Sequence, residues 1–120
     1  MIRTERSHIL IANNLNAEDW ELEDRIEEII NLAETANSKI SGITLQKLKK
    51  PLRTYLGSGK LSEANNQVIQ EKANLIIVDD ELSPNQQRHL EDLFKIKVVD
   101  RTALILDIFA NRAKSREGRL

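Results

Sequence analysis

Four short apolar runs, His8 to Ala12, Lys39 to Leu45, Leu75 to Val78 and Lys97 to Val99, are each followed by a stretch of helical periodicity. This alternation constrains the fold more than any other feature of the chain. Leu75-Ile76-Ile77-Val78 has no polar side to offer water, so the strand it predicts is covered on both faces. Strands that alternate with helices pair in parallel through right-handed crossovers. The expected fold class is α/β, a four-stranded, mostly parallel sheet with helices on both faces.

The helical stretches carry their own start and stop signals. The first has Asn16 as a prospective N-cap, a stripe of Leu22, Ile26, Ile29, Ile30 and Ala33, and Asn37 placed to end it in the left-handed conformation. A second begins near Ser58 with Leu61, Ala64 and Val68 on one side. The third opens with Ser83 as cap, Pro84 at the first position and Gln86 completing a capping box, and turns Leu90, Leu93 and Phe94 inward. The fourth starts near Thr102 with Leu104, Ile105, Ile108, Phe109 and Ala113, and Gly118 is placed to stop it. A flavodoxin-like half with strand order 2-1-3-4 accommodates these elements. The fourth apolar stripe outlasts the strands, so part of it is expected to face outward and to drive self-association.

At 120 residues the chain suits one domain. No apolar run approaches the roughly 18 residues of a membrane helix. With no cysteine, disulfide and thiolate chemistry are excluded, and two isolated histidines, His8 and His89, argue against a metal site. A net charge of −1 hides a strong asymmetry. Glu18 to Glu28 holds seven acids against the single base Arg25, whereas Lys47 to Lys60 holds five bases (Lys47, Lys49, Lys50, Arg53, Lys60) and no acid. Arg112, Lys114, Arg116 and Arg119 make the C-terminal end basic as well. Such local fields decide what a surface attracts.

Three segments carry possible chemistry. Gly57-Ser58-Gly59-Lys60 could cradle a phosphate at a helix N-terminus, but Thr54 stands where a P-loop needs glycine and Leu61 where it needs serine or threonine. A glycine-rich turn into a helix explains the same residues without a ligand. Asp79 and Asp80 follow the third strand and Asp100-Arg101 the fourth, which puts them on the carboxyl edge where open α/β sheets bind ligands. They suit a cation or acid–base work, yet no nucleophile accompanies them, and capping with an Arg101 ion pair is the better explanation. The basic segment, with Pro51 and Tyr55, is expected as an exposed loop whose lysines contact RNA phosphates while Tyr55 stacks on a base, or else as a solvated connection.

TYLGSGK (Thr54 to Lys60), DDELSPNQQRHLE (Asp79 to Glu91) and VVDRTALILDIFANRAKSREGRL (Val98 to Leu120), in this order and spacing, resemble the amino-terminal domain of the HflX family of ribosome-associated GTPases. The resemblance implies an α/β domain (1–100) followed by a helix (101–120) leading into connector helices and a GTP-binding domain. On this reading the 120 residues are a piece of a longer protein. GTP and Mg²⁺ would be bound outside these residues, which need no cofactor of their own. It further implies a cytoplasmic, non-catalytic domain that binds the large ribosomal subunit and its RNA, in a parent that dissociates or rescues stalled ribosomes. Two alternatives stay open: a nucleotide-binding module built on Gly57 to Lys60, and a structural module that docks on its own GTPase domain and tunes turnover. Asn37 and Ala103 stand where the family pattern has glycine. Asparagine preserves a left-handed helix end. Alanine would block any close approach that the glycine allows.

Overall fold

β1 (Glu5–Asn14) takes the centre of the sheet because both its faces are apolar. Ile9 and Ile11 point into one layer and Leu10 into the other, all fully buried. The computed structural model describes residues 5–118, and side chains as far as 111. β2 (Ser38–Leu48), β3 (Leu75–Val78) and β4 (Lys97–Asp100) complete a sheet of order β2-β1-β3-β4 in which every pairing is parallel. This is the expected α/β class and strand order. β1 and β2 run further than their apolar cores, since ladder hydrogen bonds carry the polar ends into the sheet.

Two helical layers cover the sheet. α1 (Asp19–Thr35) and the first turn of α4 (Arg101–Gly118) press Leu22, Ile29, Ala33 and Leu104 onto Ile9, Ile11, Leu75 and Ile77. On the opposite face α2 (Ser58–Glu71) and α3 (Pro84–Phe94) press Leu61, Ala64, Val68, Leu90 and Phe94 onto Leu10, Ile76, Val78 and Val98. Each fully buried Leu or Ile contributes roughly 2 kcal/mol through removal from water.

The helix ends follow local chemistry. Ser83 and Gln86 form the expected capping box, and Asn37 takes the left-handed conformation at φ 63°. Asn16 does not cap α1. Its N–H donates to Asn14 Oδ1 (2.9 Å) in a tight turn, so the helix opens two residues later at Glu18, with Asp19 and Glu21 facing the positive helix end. Ala103 sits in the first turn of α4, where alanine favours the helix, and its N–H is capped by Asp100 Oδ1 (2.9 Å).

His8, read from sequence as an isolated histidine, is wholly buried beside a β-bulge. Ser7 pairs with Ile40 and His8 with Gly42, leaving Ser41 as the extra residue. His8 Nδ1 meets Glu71 Oε2 at 3.1 Å and Nε2 meets Thr44 Oγ1 at 2.6 Å, while Ser41 Oγ donates to Glu71 Oε2 at 2.9 Å. Gly42 makes the room: a Cβ there would lie 2.5 Å from Glu71 Oε1 and 2.9 Å from His8 Nδ1. The cluster fixes the end of α2 against the edge strand.

Further along α4 the expected stripe leaves the core only in part: Ile105 and Ile108 are half-buried, Phe109 is exposed, and Leu106 is exposed on another side of the helix. Leu106 is 62% and Phe109 64% exposed, whereas Leu104 is buried. Ala113 and the basic Arg112, Lys114, Arg116 and Arg119 lie outside the described side chains.

Candidate functional site

With strand order β2-β1-β3-β4, successive connections leave β1 in opposite directions, and the carboxyl ends of β1 and β3 meet at a switch point. Asn13 and Asn14 end β1, and Asp79 and Asp80 directly follow β3. Arg25, the one base in the acidic stretch of α1, reaches into this junction. Its Nε donates to Asp79 Oδ2 (3.0 Å), one terminal nitrogen to Ala12 O (3.1 Å) and Asn13 Oδ1 (3.4 Å), and the other to Asp79 O (3.0 Å) and Asp80 Oδ2 (3.4 Å). A planar guanidinium with a fixed fork of donors suits this work, and lysine could not reproduce it.

Asp79 also accepts from Arg101 at 3.1 Å, and Arg101 in turn pairs with Glu28. One buried carboxylate therefore joins α1, β3 and α4. Burial raises the Asp79 carboxyl above its ordinary 3.8, against the opposing pull of Arg25 and Arg101. Asp100 serves as a local cap, accepting from Leu82 N–H (3.1 Å) as well as from Ala103. The carboxyl-edge residues are thus engaged in ion pairs and caps. No cluster able to hold a metal ion occurs among the described residues.

The basic segment divides into three parts. Lys47 and Leu48 still belong to β2, Ser58 to Lys60 open α2, and only residues 49–57 form a loop. Tyr55 corrects the sequence expectation most sharply. It is 5% exposed, at φ 71°, and its hydroxyl accepts from Ala12 N–H (2.9 Å) and donates to Asp80 Oδ2 (2.7 Å). Burial, reinforced by the Asp80 charge and hydrogen bond, drives its phenol far above the ordinary range. The ring belongs to the core and is not free to stack as a surface platform, because the left-handed turn folds it under the loop together with buried Leu56. Lys47, Lys49, Lys50 and Arg53 are exposed and enter no ion pair among the described residues.

Gly57 to Lys60 form an ordinary helix start. No glycine among the described residues has positive φ, Gly57 N–H donates to Gln46 Oε1 (2.7 Å), and Lys60 Nζ lies 3.4 Å from Glu63. The loop above instead borders a pocket of about 360 Å³ lined by Asn13, Asn14, Lys49, Lys50, Leu52, Tyr55, Asp80 and Glu81 among others. Sequence reasoning missed Arg25 and Asn13. A lone arginine inside an acidic run was the available signal.

These features define a class, a parallel α/β domain with a basic-rimmed pocket at its switch point. The model of the GTP-binding GTPase N-terminal family matches residues 23–110. The GTPase HflX of Alkalihalophilus pseudofirmus is 47% identical over 93% of this chain and 27% of its own length, and that of Caldanaerobacter subterraneus subsp. tengcongensis is 44% identical over 100% and 28%. A GTP-binding protein from Sulfolobus solfataricus, solved in complex with GDP, superposes with a TM-score of 0.64 at 26% identity, covering 88% of this chain and 30% of that one. The chain belongs to the GTP-binding GTPase N-terminal family, in its HflX branch. It spans between a quarter and a third of the length of these relatives. No helix among the described residues is long and apolar enough to cross a membrane.

Proposed function

We propose that this domain is a non-catalytic, RNA-contacting and regulatory part of an HflX-like GTP-binding protein that acts in the cytoplasm on the large ribosomal subunit, in dissociating or rescuing stalled ribosomes. GTP and Mg²⁺ belong to residues outside this chain. The observation that carries the reading is the exposed Lys49 and Lys50 on the lining of the switch-point pocket, with exposed Arg53 in the same loop. Unpaired cations on a loop held from below by Tyr55 and Asp80 give phosphate contacts a defined place on the surface. A nucleotide-binding role for Gly57 to Lys60 is weakened by the use of Gly57 N–H on Gln46 and of Lys60 on Glu63.

Calorimetric titration with GTP and a phosphate-release assay test the non-catalytic reading. Neither heat nor turnover is expected from this chain. Turnover that Lys60→Ala abolishes would overturn it. A second role is favoured by exposed Leu106 and Phe109, which suit docking of α4 on connector helices and the GTP-binding domain. Substituting them would then alter GTP turnover in the parent and leave ribosome affinity intact.

A further inference from the structure

The pocket at the switch point has three kinds of wall. Ala12, Leu48, Pro51 and Leu52 supply apolar surface, buried Asn13 and half-exposed Asp80 supply polar groups, and Lys49 and Lys50 are exposed on its lining. Its volume of about 360 Å³ lies near the lower end of small-molecule sites. That suits one base with its ribose, and apolar side chains combined with hydrogen-bonding groups of both senses are how unstacked bases are read.

The polar groups have spare valence of defined sense. Asn13 is 4% exposed, and its Oδ1 is taken by Arg25, so its amide nitrogen has a donor left for the pocket. Asp80 Oδ2 is shared by Tyr55 and Arg25, which leaves Oδ1 as an acceptor. Arg25 touches both residues and so holds donor and acceptor side by side. Glu81 adds a second carboxylate at the wall. Asp80 and Glu81 repel a phosphate from their part of the lining, while exposed Lys49 and Lys50 attract one to theirs. An uncharged ring by the carboxylates and phosphates by the lysines satisfy both.

We propose that this pocket receives one unstacked, amino-bearing base of an RNA strand, with the flanking phosphates on Lys49 and Lys50. Adenine, cytosine and guanine each present an amino group to a carboxylate beside an acceptor for Asn13. Uracil has a single imino N–H between two carbonyl oxygens and would turn an oxygen toward the second carboxylate. The inference rests on the RNA-contacting reading and deepens it.

The test is anisotropy titration of the chain with end-labelled oligo(A), oligo(C) and oligo(U) of about six nucleotides, a length within the usual range of single-strand sites. Oligo(A) and oligo(C) should bind about tenfold more tightly than oligo(U), the discrimination of one good base-edge pair. Glu81→Gln exchanges the second carboxylate for an amide that can donate to the uracil oxygen, so it should bring the ratio close to one. Lys49→Gln with Lys50→Gln should weaken all three alike and preserve the ratio. Equal affinities with a retained salt slope would overturn the base pocket and leave phosphate contact standing. Adenosine monophosphate binding as tightly as oligo(A) would overturn it in favour of a free-nucleotide site. Absence of binding to every oligomer would overturn it too, while the RNA-contacting reading is decided separately by the salt dependence of ribosomal-subunit binding.

Discussion

The Tyr55 hydroxyl donates to Asp80 Oδ2 at 2.7 Å and thereby fastens the basic loop to the end of β3. The phenol oxygen of Tyr55 also accepts from Ala12 N–H, so one side chain satisfies a strand end and positions a loop. Tyr55→Phe should cost about 1–3 kcal/mol in urea unfolding, because a buried N–H loses its partner. Amide exchange at Ala12 should quicken. Unchanged stability and unchanged protection would show that water replaces the phenol without loss.

Asp79 should leave a signature in the pH dependence of stability. Its folded-state value lies above its ordinary 3.8, so the folded chain binds the proton more readily than the unfolded one. The resulting stabilisation is complete below the unfolded value and is lost as pH rises through the folded value. Wild type minus Asp79→Asn should therefore shrink as pH rises across that window. Where Asp79 is ionised, Arg25 and Arg101 lose their anion in the variant, a loss of roughly 3 kcal/mol by analogy with broken buried pairs. Chemical unfolding at several pH values between 4 and 7 measures both effects, and a difference that grows with pH would contradict the assignment.

Gly42→Ala should destabilise the chain by about 1–2 kcal/mol, since the new Cβ displaces a Glu71 carboxylate hydrogen-bonded to His8 and Ser41. Alanine should otherwise help a strand through chain entropy. A stabilised variant would mean that Glu71 moves aside without penalty.

Leu106 and Phe109 should make the molar mass concentration-dependent in light scattering. Leu106→Gln with Phe109→Gln should restore a monomer, while Leu104→Gln should instead damage folding because Leu104 is in the core. A strict monomer before substitution would argue against the patch as a contact surface.

Much of the fold is legible in the order of short-range patterns. Leu75 to Val78 announces a central strand, and Ser83, Pro84 and Gln86 announce α3, because strand burial and capping are local chemistry. The burial of Tyr55 is illegible for the opposite reason. A proline, several lysines and a lone tyrosine describe an exposed loop by composition, and only the partners Ala12 and Asp80, distant in sequence, show that the ring is buried. Arg25 and His8 were overlooked on the same grounds, since their roles depend on Asp79 and Glu71, each more than fifty residues away. Gly57 to Lys60 drew notice by composition, yet its glycines occupy ordinary dihedral angles.

The central claim is that the loop at residues 49–53 meets ribosomal RNA, and the salt dependence of binding to the large subunit tests it most directly. Lys49→Glu, Lys50→Glu and Arg53→Glu together, in the intact parent protein, should weaken binding and flatten the slope of log affinity against log salt by about 0.7 to 0.9 per lost phosphate contact. Glu21→Lys, Glu23→Lys and Glu27→Lys provide the control on exposed α1, sparing Glu28 because it pairs with Arg101. The control should leave the slope intact. An unchanged affinity and slope in the basic-loop variant would contradict the account and make the loop a solvated connection.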